Sequence, residues 1–292
     1  MILICGIASE SPVRAAIAAA ERTGVPHVVL DQRNSEPYEI SVDWLAGRPA
    51  GMLRVDGEAF ELESFSGVYA RLLEGDLLPE NRRGVGKERR EHAWALQRAL
   101  EEWLEVTDRR VANRTSSMAS NVSKPYQAQL IGSSGLATPL TLVTNRPDEA
   151  RKFSISKATV FKSVSSVRSI VQPLTPERTA QLDRVDQLPT QFQERIAGVD
   201  VRVHVVGSRV FATEIASEAA DYRYASRAGL DVDMAPTTVP SSVEHRCREL
   251  ASTLKLEFCG IDLKRTPGGS YVCFEANPSP AYNYYEEATG QP

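Results

Sequence analysis

The chain has 292 residues, 42% hydrophobic and 25% charged, with net charge −4 and a pI near 5.7. That composition suits a soluble protein of about two domains, or three small ones sharing cores, and excludes a global basic field for nucleic acid. No apolar run approaches the roughly 20 residues that span a bilayer, and Met1 to Cys5 lacks a basic n-region, so it reads as a strand rather than a signal peptide.

In chain order, 2–4 is an apolar strand. Ser11 and Pro12 predict a helix start, the alanine-rich 14–23 its body and Gly24 its stop. A second strand follows at 27–30. This opening is βαβ-like, but Gly6-Ile7-Ala8-Ser9 is not a GxGxxG loop, so a dinucleotide site is only weakly indicated. Short strands are expected at 51–55, 59–62 and 67–70. Over 87–106, Trp94, Leu96, Leu100, Trp103 and Leu104 recur at helical spacing, which predicts an amphipathic helix with its tryptophans as core or interface anchors. The polar stretch 113–121 predicts a domain junction. Beyond it the pattern gives a helix (124–133), a strand (135–143), a helix (147–153), a strand (159–164) and a loop (165–169). A helix over 176–185, capped by Thr175, comes next. Strands then dominate, at 191–196, 199–206 and 209–215, before a helix near 242–254. Cys5, Cys247, Cys259 and Cys273 show no metal spacing, and at least Cys5 and Cys273, in apolar strands, are most simply buried, reduced thiols, as in the cytoplasm.

The end of the chain carries the chemistry. Residues 272–277 alternate as a strand does, so Glu275 and Asn277 share a face. Asp262 lies on the preceding strand, folded back by the turn at 266–269. Two carboxylates and an amide oxygen are hard donors of the type that suits magnesium held with phosphates; equally, Glu275 and Asn277 could simply end a strand before a proline turn. Upstream, Lys162 stands in an apolar strand and Lys124 heads a helix, where both also read as solvated lysines. Asp200, Arg202 and His204 share one face of a strand backed by Val201, Val203 and Val205, either lining a polar cleft or facing water.

Taken together, Asp262, the run Glu275-Ala276-Asn277-Pro278-Ser279-Pro280 and the upstream segments resemble the ATP-grasp superfamily, in its RimK-like branch of carboxylate–amine ligases, with graspetide-type peptide ligases among the near relatives. The resemblance covers roughly 113–291. It implies an α/β (α+β) ATP-grasp fold with an amino-terminal βαβ pre-ATP-grasp domain at 1–112, a central lid subdomain at 113–190 and a carboxyl-terminal subdomain at 191–292. It further implies phosphate contacts from Lys124 and Lys162, an adenine hinge at Gln193, Glu194, Arg195 and Ile196, and Asp200 on the ribose. Arg202 and Arg223, the latter within Asp221-Tyr222-Arg223-Tyr224, would meet the transferred phosphate with Lys162 as the catalytic set; Asp262, Glu275 and Asn277 would hold Mg²⁺, or Mn²⁺.

The implied activity is ATP-dependent and ADP-forming: a carboxylate is activated as an acyl phosphate and joined to an amine, on an amino acid or peptide. A kinase of the same fold and a non-catalytic nucleotide- or peptide-binding protein are the alternatives. Expected partners are a small-molecule or peptide substrate, with no nucleic acid and no membrane, and with assembly as a homodimer or homotetramer left open. His204 is a candidate proton acceptor, though such a histidine is more commonly a satisfied structural one; Tyr69, Arg71 and Arg168 are candidate substrate contacts, and more commonly plain surface residues. Two departures stand out: 163–169 lacks the glycines of a phosphate flap, and the chain stops at Gly290-Gln291-Pro292, where relatives continue into a closing helix.

Overall fold

The computed structural model of the chain describes residues 1–34, 38–45, 47–78, 86–164, 171–217, 229 and 231–292. It divides into two units. The first comprises Met1–Ala119 with Lys255–Phe258 and Pro278–Tyr284; the second comprises Ser120–Leu254, Cys259–Asn277 and Tyr285–Pro292.

In the first unit β1 (Ile2–Gly6), α1 (Ser11–Thr23) and β2 (His27–Asp31) form the expected parallel βαβ, with Leu3 opposite Val28. Glu10, rather than Ser11, holds the N-cap position of α1. The helix ends at Gly24, whose φ of 67° is the left-handed conformation glycine adopts freely; its N–H reaches the carbonyls of Ala20 and Glu21. β3 (Glu39–Leu45), β4 (Arg48–Val55) and β5 (Glu58–Glu61) make an antiparallel sheet of their own. β6 (Gly67–Arg71) then lies parallel to β1 on the side away from β2. After α2 (Lys87–Val106), β7 (Arg110–Ala112) extends the sheet to the order β2-β1-β6-β7.

The apolar stripe of α2 explains its place. Leu96, Leu100, Trp103 and Leu104 are buried with Leu3, Leu30, Leu53 and Phe65, and Trp103 meets Phe65 edge-on at 6.4 Å. Each such side chain contributes roughly 1.5–3 kcal/mol by leaving water. Trp94, by contrast, is 43% exposed, so only Trp103 is a core anchor. The short α3 (Thr115–Met118) closes the main run of this unit.

The second unit starts with α4 (Lys124–Ser133). The strand expected at 135–143 contracts to β8 (Thr141–Thr144), because Pro139 has no N–H for a ladder; Ala137 instead makes an isolated bridge to Val272. α5 (Pro147–Ile155), β9 (Thr159–Ser163), β10 (Gln172–Pro173), α6 (Pro176–Thr179) and β11 (Thr190–Glu194) follow. The helix expected over 176–185 breaks after α6 into a 3-10 segment, which places Leu182 in a small core with Ala150 and Phe192. This sheet has the order β10-β9-β11-β8, so the 190/191 boundary falls inside β11.

A five-stranded sheet, ordered β14-β13-β12-β15-β16, carries most of the site residues. Its strands are β12 (Val199–Val206), β13 (Arg209–Ala216), β14 (Asp233–Thr237), β15 (Phe258–Arg265) and β16 (Tyr271–Asn277). α7 (Ser241–Thr253), between β14 and β15 in sequence, buries Val243, Cys247, Leu250 and Ala251 on one stripe. A short helix, α8 (Asn283–Thr289), which the sequence pattern does not predict, follows β16. All four cysteines are free and buried. Among the described residues no helix is long and apolar enough to cross a membrane.

Candidate functional site

β15 and β16 form the hairpin that the period-two pattern predicts. A bulge between Asp262 and Leu263 shifts the register, so that Asp262 faces Glu275 while Leu263 faces Cys273. Both carboxylates line a cavity of about 490 Å³ in the second unit, a size that suits a nucleotide-sized ligand. Like charges opposed across a ladder repel, and here each has its own cation. Lys124 Nζ lies 2.9 Å from Glu275 Oε2 and also donates to Asn121 Oδ1 at 2.9 Å. Arg202 Nη1 donates to Asp262 Oδ1 at 2.5 Å. The two pairs are largely covered, so their attraction is screened less than that of a surface pair.

Eight of the residues singled out from the sequence line the cavity together: Lys162, Gln193, Glu194, Arg195, Ile196, Asp200, Asp262 and Glu275. Lys162 arrives on β9, opposite Gln191 of β11. The run 193–196 leaves β11 along the cavity wall. Its backbone is fixed by Glu194 N–H to Leu140 O at 2.9 Å and Arg195 N–H to Ala158 O at 2.8 Å, while the Gln193 amide donates to Thr141 Oγ1 at 3.1 Å. Asp200 Oδ1 meets Lys264 Nζ at 3.2 Å. Asn277 ends β16 opposite Gly260. Arg223 and Arg168 lie outside the described residues, as do 165–170 of the flap.

β12 is covered on both faces, which removes the water-facing alternative: Val201, Val203 and Val205 are buried, and so are Arg202 and His204. Arg202 is 5% exposed. Its guanidinium is bounded by Asp262, by His204 Nε2 at 3.4 Å from Nε, by the Tyr285 ring at 5.6 Å, and by Gly260. In this arrangement its charge reaches the cavity through Asp262. His204 packs edge-on against Tyr285 at 4.9 Å; burial first, and then the neighbouring Arg202 charge, push its pKa down to about 3. Buried, uncharged and packed on Tyr285, it is placed as a structural histidine would be. In the first unit Arg71 is committed to Glu10 at 2.8 Å and to Ser279 Oγ at 2.6 Å, which argues for an internal tie rather than a substrate contact. Tyr69 is half-buried beside it. Burial lifts the Cys247 and Cys259 thiols to about 12 and Cys273 well above its usual value, so none is a ready nucleophile.

Two residues of this arrangement escaped the sequence reading. Lys264 was detectable, since it lies two places beyond Asp262 on a strand; Tyr285 left no local signal. The donor set fits magnesium. Asp262 and Glu275 supply hard oxygens at one place, and no cluster of three or more His, Cys, Asp or Glu among the described residues forms an all-protein cage. Magnesium is commonly held in that way, by one or two carboxylates with water and substrate phosphates.

Several known proteins are similar to this chain. The chain is 24% identical over 191 residues to a "Probable alpha-L-glutamate ligase" of Vibrio cholerae, covering 62% of this chain and 63% of that protein. It is 25% identical over 199 residues to "Beta-citrylglutamate synthase B" of Danio rerio, covering 64% and 49%. The chain thus spans less than two thirds of the length of these curated relatives. Among solved structures, the fold is similar to that of the Chryseobacterium gregarium RiPP-associated ATP-grasp ligase in complex with ADP and a leader and core peptide: the TM-score is 0.79 at 22% identity, covering 98% of this chain and 91% of that one. Macrocyclase MdnC from Microcystis aeruginosa, bound with its precursor peptide MdnA, gives 0.75 at 23%, covering 98% and 94%. The fold is therefore the mixed α/β ATP-grasp fold. The RimK-like ATP-grasp domain model matches residues 123–291, more than half of the chain, and the chain belongs to that family.

Proposed function

We propose that the protein is an ADP-forming ligase that joins a carboxylate to an amine on an amino acid or peptide. The observation that carries the reading is the single cavity in which Lys162, Asp200, Asp262 and Glu275 converge beside the 193–196 run. In this reading 193–196 hold the adenine, Asp200 takes the ribose hydroxyls, and Lys124 and Lys162 bind the phosphates. Asp262, Glu275 and Asn277 hold Mg²⁺, which when bound offsets phosphate charge. Arg202 fixes Asp262, and Arg223 is assigned to the transferred phosphate by resemblance alone. The substrate carboxylate attacks the γ-phosphorus and ADP leaves; the amine then displaces phosphate from the acyl phosphate and loses a proton. Positioning and charge neutralisation carry such a step, so no buried base is required. A peptide substrate accords with the peptide complexes of the two structural neighbours, and an amino acid with the names of the curated relatives. The four buried, reduced thiols suit the cytoplasm.

The test is ADP release with magnesium-ATP and hydroxylamine, which traps acyl phosphates as hydroxamates, against pooled amino acids and acidic peptides. Hydroxamate formed by the wild type and lost in Glu275→Ala is the expected result. ADP release without hydroxamate would favour a kinase, and absence of ATP binding by calorimetry would overturn the reading.

A further inference from the structure

We propose that Lys264 is a positioning residue that orients Asp200 for the ribose of the bound nucleotide. The inference rests on the reading of Asp200 as the ribose contact and assigns a new residue to that site. Lys264 lies on β15 two residues past Asp262 and lines the same cavity. Its Nζ stands 3.2 Å from Asp200 Oδ1, with the two side chains 19% and 28% exposed.

A solvated lysine–aspartate pair is worth little, because two long side chains must be held against water and salt. This pair is different in three respects. Most of each side chain is covered. Both residues are carried by neighbouring strands of one sheet, so their backbones are fixed. And the next pair along, Arg202 with Asp262, has the opposite polarity: on β12 the acid precedes the base, and on β15 the acid precedes the base again, the contacts running in opposite senses. The ammonium therefore holds the Asp200 carboxylate at the wall of the cavity, at a defined rotamer. A carboxylate has room for about four donors, so it can keep the ammonium and still accept from the two hydroxyls of a ribose diol. Without the ammonium the carboxylate loses that hold, and the diol must reorganise it at the cost of affinity. Lys264 acts here through Asp200 and need not touch the nucleotide.

The experiment compares calorimetric binding of magnesium-ATP and magnesium-2′,3′-dideoxy-ATP, which lacks the diol. The wild type should prefer ATP by about tenfold or more, as hydrogen bonds to a charged group imply. Lys264→Met, which keeps the stem and removes the charge, should lose most of that preference by weakening ATP while leaving the dideoxy nucleotide nearly unchanged; Lys264→Arg should retain it. Asp200→Asn should lose the same preference, and Lys264→Met added to it should change nothing further, so the proposal stays testable even if one variant folds poorly. A Lys264→Met protein that keeps the preference, or weakens both nucleotides alike, overturns the proposal. A wild type blind to the diol overturns the ribose contact and the role of Lys264 with it, while the hydroxamate assay still decides the ligase reading. No ATP binding by the wild type overturns both.

Discussion

Gly260→Ala is a one-methyl change at the edge of the site, and the geometry sets its cost. A Cβ at Gly260 would lie 2.0 Å from Arg202 Nη2, 2.4 Å from Cζ and 2.6 Å from Nε. Non-bonded heavy atoms need roughly 3.5 Å, so the guanidinium must retreat by about 1 Å or more. The Tyr285 ring bounds it on one side and His204 on another, and its Nη1 bond to Asp262 is already 2.5 Å. Retreat therefore breaks the Asp262 pair. Overpacking alone costs about 1–3 kcal/mol, and stripping one partner from a buried pair about 3–5; Asp262 keeps some access to water, so about 3 kcal/mol in total is expected. The activity loss should be larger than this destabilisation suggests, on the order of 100-fold in turnover, because a displacement of about 1 Å in a reacting constellation costs that much. The assay is a double-mutant cycle with Arg202→Met, read by thermal melting and by ADP release. Once the guanidinium is gone, the alanine should cost almost nothing further. Gly260→Ala with wild-type melting and turnover, or costs that simply add, would refute the confinement of Arg202.

His204 makes folding sensitive to acid. Its folded pKa of about 3 lies below the ordinary 6.5, so the unfolded chain binds the proton first and stability falls as pH drops from about 6.5 toward 3. The slope from this residue is about 1 kcal/mol per pH unit; His204→Gln should flatten the melting-temperature profile over pH 6.5–4, and parallel profiles would refute the assignment. The four buried thiols should be silent to a disulfide reagent in the native protein and all react in denaturant, so a fast-reacting thiol in the native state would contradict their burial. Lys124→Met removes the ammonium paired with Glu275 opposite Asp262 and should lower the melting temperature by several degrees, with magnesium restoring most of the loss. An unchanged melting temperature would mean that the pair is decorative.

Much of this was legible where the signal is local. The stripe of α2, the Gly24 stop of α1 and the alternation of β16 depend on neighbours in sequence, and each element lies where its periodicity places it. β3 is a strand whose signal is easily outweighed: Ile40, Val42 and Trp44 alternate, but the stronger strand patterns follow it, at 51–55, 59–62 and 67–70. The failures at 135–143 and 176–185 come from breakers and packing. Pro139 cuts the ladder, and Leu182 turns inward toward Phe192 at the expense of a continuous helix. Nor could alternation reveal that the polar row of β12 is covered. Tyr285, some 80 residues downstream, supplies the cover for Arg202 and His204, and no period connects them.

The charge pairs of the site lie between these extremes, because they follow from a pattern once two segments are known to be neighbours. β12 offers Asp200, Arg202 and His204 on one face; β15 offers Gly260, Asp262 and Lys264. The observed contacts set Asp200 with Lys264 and Arg202 with Asp262. Keep the same faces together and slide one strand by two residues, and Asp200 meets Asp262; slide it the other way, and Arg202 meets Lys264. Both slips oppose like charges in a covered position, where an unmatched charge is costly. Only the observed register gives every acid a base, and it also places the side-chain-free Gly260 where the Arg202 guanidinium needs room. The alternation of acid and base thus does two things with the same residues. It rejects the competing registers of the sheet, and it delivers Asp200 and Asp262 to the cavity wall with their rotamers already chosen.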